Sequence, residues 1–163
     1  MSVNVSPRQL HDPNFVAVVS EALMRSHVPA EQLWLEITEG VMIVQPDQAL
    51  ATLTKLCDIG VRIAIDDFGT GYSSLGYLRK MPIDKIKIDR SFITDMASSD
   101  SDMMIVKTMI TLAHGLGKRI LAEGVEDENQ LGLLRHMACD AVQGYLIAKP
   151  LPEAQALALL QPK

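Results

Sequence analysis

Six short apolar runs, nearly all with a polar residue at or beside their C-terminal end and alternating with stretches of helical period, constrain this chain more than anything else in it. They are read at Ser2–Ser6, Leu33–Glu39, Ile63–Ile65, Ile83–Ile88, Arg119–Glu126 and Ala141–Leu146. Short apolar runs bounded by turn signals read as strands, and apolar residues three and four apart read as amphipathic helices. Strands alternating with helices call for a parallel sheet with right-handed crossovers. Two architectures fit: an open doubly wound sheet, or part of a (β/α) barrel. An open sheet concentrates its site at one switch point, whereas a barrel draws it from the ends of many strands. Here nearly every strand ends in a group able to do chemistry: Asn4, Glu36 with Glu39, Asp66 with Asp67, Lys87 with Asp89, Glu123, and Gln143. The expected fold is therefore α/β, a TIM-type (β/α) barrel. It is incomplete, at about six βα units, since eight usually need about 250 residues.

The helices carry their own signals. Asp12-Pro13 reads as an N-cap with proline at the first helical position, ahead of an apolar face of Phe15, Val18, Val19, Ala22 and Leu23 ending near His27. Pro46-Asp47 opens a second helix with Leu50, Leu53, Leu56 and Cys57 inward and Gly60 as its stop. Ser73 is placed as the cap of a short turn carrying Leu75 and Leu78. A long helix follows Ser98–Asp100, with Ile105, Met109, Leu112 and Leu116 in one stripe before Gly117. Leu131, Leu134 and Met137 mark another, and Pro152 opens a terminal one. No linker or low-complexity segment interrupts the chain, so residues 1–163 are expected to form one unit.

The densest stretch runs from Arg62 to Leu75. An apolar strand ends in Asp66-Asp67, followed by a loop with glycines at 69 and 71. Adjacent carboxylates repel unless cations neutralise them. At the C-terminal end of a parallel strand that pattern suggests a divalent metal site, the bland alternative being two aspartates that merely cap a turn. Hard oxygen donors suit magnesium or manganese, and no His/Cys cluster of zinc spacing is present. A lysine at 87 among such carboxylates stays charged and can orient water or offset negative charge; alone, it would read as a solvated strand end.

Composition narrows the classes. At 163 residues, 48% hydrophobic and 21% charged, the chain is an ordinary globular one that can bury a core. Its net charge of −5 argues against a surface for polymeric nucleic acid and fits a small anionic ligand only through metal ions. No run is long enough to span a bilayer, and the first residues lack a signal-peptide pattern. Cys57 and Cys139 sit inside apolar patterns as reduced thiols, which makes the cytoplasm the expected compartment.

Taken together, Val3-Asn4-Val5-Ser6, Leu35-Glu36-Ile37-Thr38-Glu39, the Asp66–Leu75 loop, Lys85-Ile86-Lys87-Ile88-Asp89, Ala122-Glu123-Gly124-Val125-Glu126 and Gln143-Gly144-Tyr145 resemble the EAL domain. That family comprises bacterial phosphodiesterases that cut cyclic di-GMP to linear pGpG. The resemblance implies a two-metal site for Mg²⁺ or Mn²⁺ held by Asn4, Glu36, Asp66 and Asp67. It implies Lys87 as holder of the attacking water, Glu123 as general base or second-metal ligand, and Glu39 as the residue steadying the glycine loop. Gln143, Tyr145 and Asp89 fall to the substrate, with Tyr72 or Tyr145 placed either to stack on guanine or to pack at the mouth. Gly40 stands where the family more often has serine. Partners implied are cyclic di-GMP and, in a longer protein, sensory or GGDEF domains.

The motif that names the family is expected upstream of the asparagine strand. Glu21-Ala22-Leu23 is a decoy, since it lies within the first helix with Glu21 off the apolar stripe. The chain thus resembles the C-terminal two-thirds of such a domain, lacking one metal carboxylate. Six strands leave edges that invite a homodimer or swapped oligomer. Rival readings are an inactive cyclic di-GMP-binding or protein-docking piece and a Schiff-base aldolase using Lys87, the latter opposed by carboxylates that keep the lysine protonated.

Overall fold

Among the described residues six strands build a single parallel sheet in the order β1 (Ser2–Val5), β2 (Trp34–Thr38), β3 (Arg62–Phe68), β4 (Lys85–Ile88), β5 (Arg119–Glu123) and β6 (Ala141–Gln143). The computed structural model describes residues 1–41, 45–71 and 75–160. A strictly sequential parallel order has no switch point, so the doubly wound alternative is excluded and the barrel progression stands. Among the described residues the sheet is not closed, and β1 and β6 are its edges.

Alternation along each strand sorts residues between two faces. Leu35 and Ile37, Ile63 and Ile65, Ile86 and Ile88, and Ile120 and Ala122 are all buried in one core with helix residues such as Leu53, Leu56, Val106 and Ile110. Each fully buried Leu or Ile contributes roughly 1.5–3 kcal/mol of transfer free energy, so this face holds the sheet together. The intervening positions carry Glu36, Asp66, Lys87 and Glu123 to the opposite face, at the C-terminal strand ends. At the other end of that face the Lys85 ammonium sits 3.9 Å above the Trp34 ring.

The helices are α1 (Pro7–Leu10), α2 (Phe15–Ser26), α3 (Pro46–Ile59), α4 (Leu75–Lys80), α5 (Arg90–Thr94), α6 (Asp100–Gly115), α7 (Glu128–His136) and α8 (Glu153–Leu160). Helix α1 escapes the sequence reading, although Ser6 and Gln9 form a capping box with Pro7 at its start. That turn also displaces the next start. Helix α2 begins at Phe15 behind Asn14, while Asp12 accepts the Asn14 N–H in a turn and is not the cap. Every strand but β3 is shorter than expected; β5 stops at Glu123 and β6 at Gln143, because Gly124 has φ +74° and Gly144 abuts Val125. A Cβ on Gly144 would lie 2.1 Å from the Val125 carbonyl oxygen, so only glycine permits that approach. Ser73 and Tyr72 lie outside the described residues, though α4 follows as anticipated.

Met109 is core, while Met104 is exposed. Both cysteines are half-buried free thiols donating to carbonyls, Cys57 to Pro82 and Cys139 to Ala141, and burial raises both above the usual thiol range.

Candidate metal and substrate site

Two adjacent strand residues ordinarily point to opposite faces. The structure resolves this for Asp66 and Asp67 with a bulge. From Ile65 to Phe68 on β3 the partners on β4 advance only from Ile86 to Ile88, so β3 carries one extra residue there. Asp67 absorbs it with φ +52°, a left-handed conformation that aspartate tolerates better than most residues. Phe68 then returns to the core. The result is one oxygen each from Asp66, Asp67 and Glu123 within 4.8 Å of one another.

Lys87 organises the acids around it. It is 6% exposed, and its ammonium lies 2.8 Å from Glu36, 2.9 Å from Asp66 and 2.8 Å from Glu123. Burial by itself would lower its pKa, but hydrogen bonds to Glu123, Glu36 and Asp66 prevail and raise it above the ordinary lysine value. A lysine so held is no free amine, which removes the Schiff-base alternative. Burial raises the Glu123 carboxyl, with Lys87 opposing and Asp66 and Glu36 reinforcing. Asp67 is likewise raised, by burial and then by the charges of Asp66 and Asp89. Asn4 stands on edge strand β1 in register with Glu36, and is exposed.

Glu39 is 8% exposed. Its Oε2 accepts the N–H groups of Gly69 at 3.2 Å and Gly71 at 3.0 Å, steadying the loop after Asp67. Gly69, at φ +101°, fits against Met109 and Phe92, where a Cβ would be 2.3 Å from the Met109 methyl. The Glu39 carboxylate thus braces the loop through its backbone amides.

Beside the acids opens a cleft of about 320 Å³ lined by Asp67, Asp89, Arg90, Glu123, Gly124, Glu126, Gln143, Gly144 and Tyr145. Asp89 also serves the adjoining helix, because its carboxylate caps α5 by accepting from the Ser91 N–H and hydroxyl. The hydroxyl contact leads the effects that hold it below the usual range. Tyr145 is 58% exposed, with Lys149 over its ring at 5.5 Å. Arg90, Gly124 and Glu126 were not singled out from the sequence as lining residues. Their signal is position alone, directly after strand-end acids. Glu21 is on α2, exposed and paired with Arg25 at 2.6 Å, away from any strand end.

Strand-tip carboxylates in this order, around a buried lysine and beside a glycine-braced loop, have a match among known proteins. The sequence fits the EAL domain family model over residues 1–150. The chain belongs to the EAL domain family. It is 44% identical over 154 residues to the cyclic di-GMP phosphodiesterase NbdA of Pseudomonas aeruginosa, covering 94% of the chain and 20% of that protein. A solved phosphodiesterase, PaMucR in complex with c-di-GMP, superposes with a TM-score of 0.91 at 41% identity, over 95% of this chain and 63% of that one. The EAL domain of Mycobacterium smegmatis DcpA gives 0.92 at 41% identity, over 98% and 71%. A manganese and cyclic di-GMP complex of Klebsiella pneumoniae BlrP1 gives 0.82 at 32% identity, over 89% and 37%. This EAL chain spans about a fifth of the length of the curated relatives it matches.

Among the described residues no helix is long and apolar enough to cross a membrane. The donor chemistry fits a hard divalent cation, since the cluster offers carboxylate oxygens and neither thiolate nor imidazole.

Proposed function

We propose that this EAL chain carries the metal-dependent hydrolysis of cyclic di-GMP to linear pGpG. The observation that carries the reading is the convergence of Asp66, Asp67 and Glu123 with Lys87 at the strand ends, opening directly onto the cleft. Asn4, Glu36, Asp66 and Asp67, with Glu123, are the residues that would hold a pair of Mg²⁺ or Mn²⁺ ions. When bound, such ions polarise a phosphodiester oxygen and favour deprotonation of an attacking water. Lys87, fixed by three carboxylates, is placed to donate to that water or to the phosphate oxygens as charge develops. Glu123, raised by burial, is suited to take up the proton released. Glu39 keeps the loop after Asp67 in place, and Asp89, Gln143 and Tyr145 line the cleft where a guanine or ribose would lie.

The charged side chains lining the cleft are four carboxylates against one arginine, so a dinucleotide with two phosphates needs divalent cations to enter. Residues 1–163 are taken as part of one EAL domain in the cytoplasm. Its exposed edges β1 and β6 favour pairing with another strand, whether in a homodimer, a swapped oligomer or a longer chain. Sensory or GGDEF domains are the proposed companions, in line with the bifunctional diguanylate cyclase/phosphodiesterase MucR of P. aeruginosa, 41% identical over 158 residues.

The test is incubation of the chain with cyclic di-GMP and Mg²⁺ or Mn²⁺, followed by chromatography for pGpG, with Glu36→Ala as control. Product that vanishes in the control supports the reading. Binding of cyclic di-GMP without product would make the chain a receptor module, and neither binding nor product would overturn both.

A further inference from the structure

Gln130 is 4% exposed, one of the few buried polar side chains among the described residues. Its amide is fully used. The Oε1 accepts the N–H groups of Glu126 at 2.8 Å and Asp127 at 3.3 Å, and the Nε2 donates to the carbonyls of Ile93 at 3.2 Å and Thr94 at 3.4 Å. The accepting half completes the capping box of α7, in which Asp127 receives the Gln130 N–H. Capping needs nothing from the donating half. That half instead fastens the start of α7 to the end of α5, 37 residues away in the chain. Packing alone would be served by leucine in such a site, so the amide is there for its hydrogen bonds.

Both elements it joins contribute lining residues to the cleft, Arg90 from one and Gly124 and Glu126 from the other. Helix α5 is five residues long and starts at Arg90; the loop before α7 starts at Gly124 and carries Glu126. The two elements touch where a Cβ on Gly124 would lie 2.6 Å from the Arg90 Cβ. A single helical turn has little of its own to hold its direction, since one turn is too short to be stable alone. Its last carbonyls are anchored by Gln130. We propose that Gln130 is a positioning residue that fixes the gap between Arg90 and the Gly124–Glu126 loop, and so sets the affinity of the cleft for a cyclic dinucleotide. The ligand half of this inference rests on the function proposed above; the geometric half does not.

Gln130→Glu separates the two roles, because a carboxylate still accepts from Glu126 and Asp127 but donates nothing to Ile93 or Thr94. The measurements, at pH 8 on the whole chain, are amide hydrogen exchange, Mn²⁺ affinity, and cyclic di-GMP affinity in Ca²⁺. The expected result is exchange faster by at least about tenfold at residues 90–94 and 124–127, and unchanged in the sheet. Cyclic di-GMP should bind about tenfold more weakly, and Mn²⁺ within about twofold of wild type. Unchanged exchange at those segments in a folded variant overturns the proposal, as does faster exchange with undiminished dinucleotide affinity. If the wild-type chain binds no cyclic di-GMP, the proposed function fails and exchange alone decides the positioning claim. Should Gln130→Glu not fold, Gly124→Ala opens the same junction from the other element and must weaken the dinucleotide comparably.

Discussion

Replacing Lys87 with methionine removes the one ammonium shared by Glu36, Asp66 and Glu123 while keeping most of the buried stem volume. The three contacts are 2.8–2.9 Å long, and the acids are 15%, 16% and 19% exposed. Removing one partner of a buried pair costs roughly 3–5 kcal/mol, because the remaining charge is left without compensation. The residual exposure of these acids places the cost near the lower end, about 3 kcal/mol. At about 2–4 °C per kcal/mol for a chain of this size, the unfolding midpoint of the metal-free variant should fall by roughly 6–12 °C near pH 8.

The pH dependence has a definite sign. Glu123 is already raised by burial, and Lys87 is what opposes that rise, so its removal raises the folded-state value further. An acid whose folded pKa lies above its unfolded one is a liability when ionised and ceases to be one as pH falls through the raised value. The deficit should therefore be largest at pH 8 and narrow by pH 5. In wild type the Lys87 contribution is complete below the ordinary lysine range and lost only as pH rises through its raised value. Divalent cations should stabilise Lys87→Met more than wild type, since the departing charge repels them. The assay is thermal unfolding by circular dichroism in chelator, then with Mn²⁺. A midpoint within about 1 °C of wild type, or a deficit equal at both pH values, would refute the electrostatic account.

Other consequences are simpler to state. Glu39→Ala removes the acceptor for the Gly69 and Gly71 N–H groups, which costs about 1–3 kcal/mol of loop ordering; amide exchange at those glycines should quicken and turnover drop at least tenfold with Mn²⁺ saturating. Glu21→Ala, despite sitting in the tripeptide Glu-Ala-Leu, should change stability by no more than about 0.5 kcal/mol and turnover not at all, as measured by denaturant titration and product chromatography. For Asp140, burial alone would raise the carboxyl, but the Ile120 N–H and His114 bring it below the usual value. Its stabilising effect is present above the unfolded-state pKa and lost as pH falls through the folded one, so Asp140→Asn should flatten the acid limb of the stability curve.

Strand positions and the polar tips were legible because periodicity two and a terminal acid leave a local trace in the chain. Asn4, Glu36, Asp66, Asp67, Lys87, Glu123 and Gln143 are all found at or near the C-terminal end of a strand, as their spacing suggested. What makes Asp66 and Asp67 converge was not legible, because a bulge depends on the register against β4 and no residue of β3 announces it. Helix α1 was missed for a different reason. Its Ser6–Gln9 box was in plain view, but four residues carry no periodicity, and the stronger Asp12-Pro13 signal drew the start elsewhere. Gln130 was hidden because an amide on an exposed-looking helix start says nothing of a partner 37 positions earlier. The family resemblance supplied roles for residues; for Glu39 the geometry agrees with the loop-steadying role, since its carboxylate accepts the Gly69 and Gly71 N–H groups.

The central claim is that Asp66, Asp67 and Glu123 form a divalent-metal centre beside Lys87. Anomalous diffraction at the manganese edge, from crystals of this chain grown with Mn²⁺ and cyclic di-GMP, addresses it most directly. A peak bounded by the Asp66, Asp67 and Glu123 oxygens, with the dinucleotide in the adjoining cleft, is the predicted result. A nucleotide bound there without any such peak, or manganese bound only elsewhere, would contradict it.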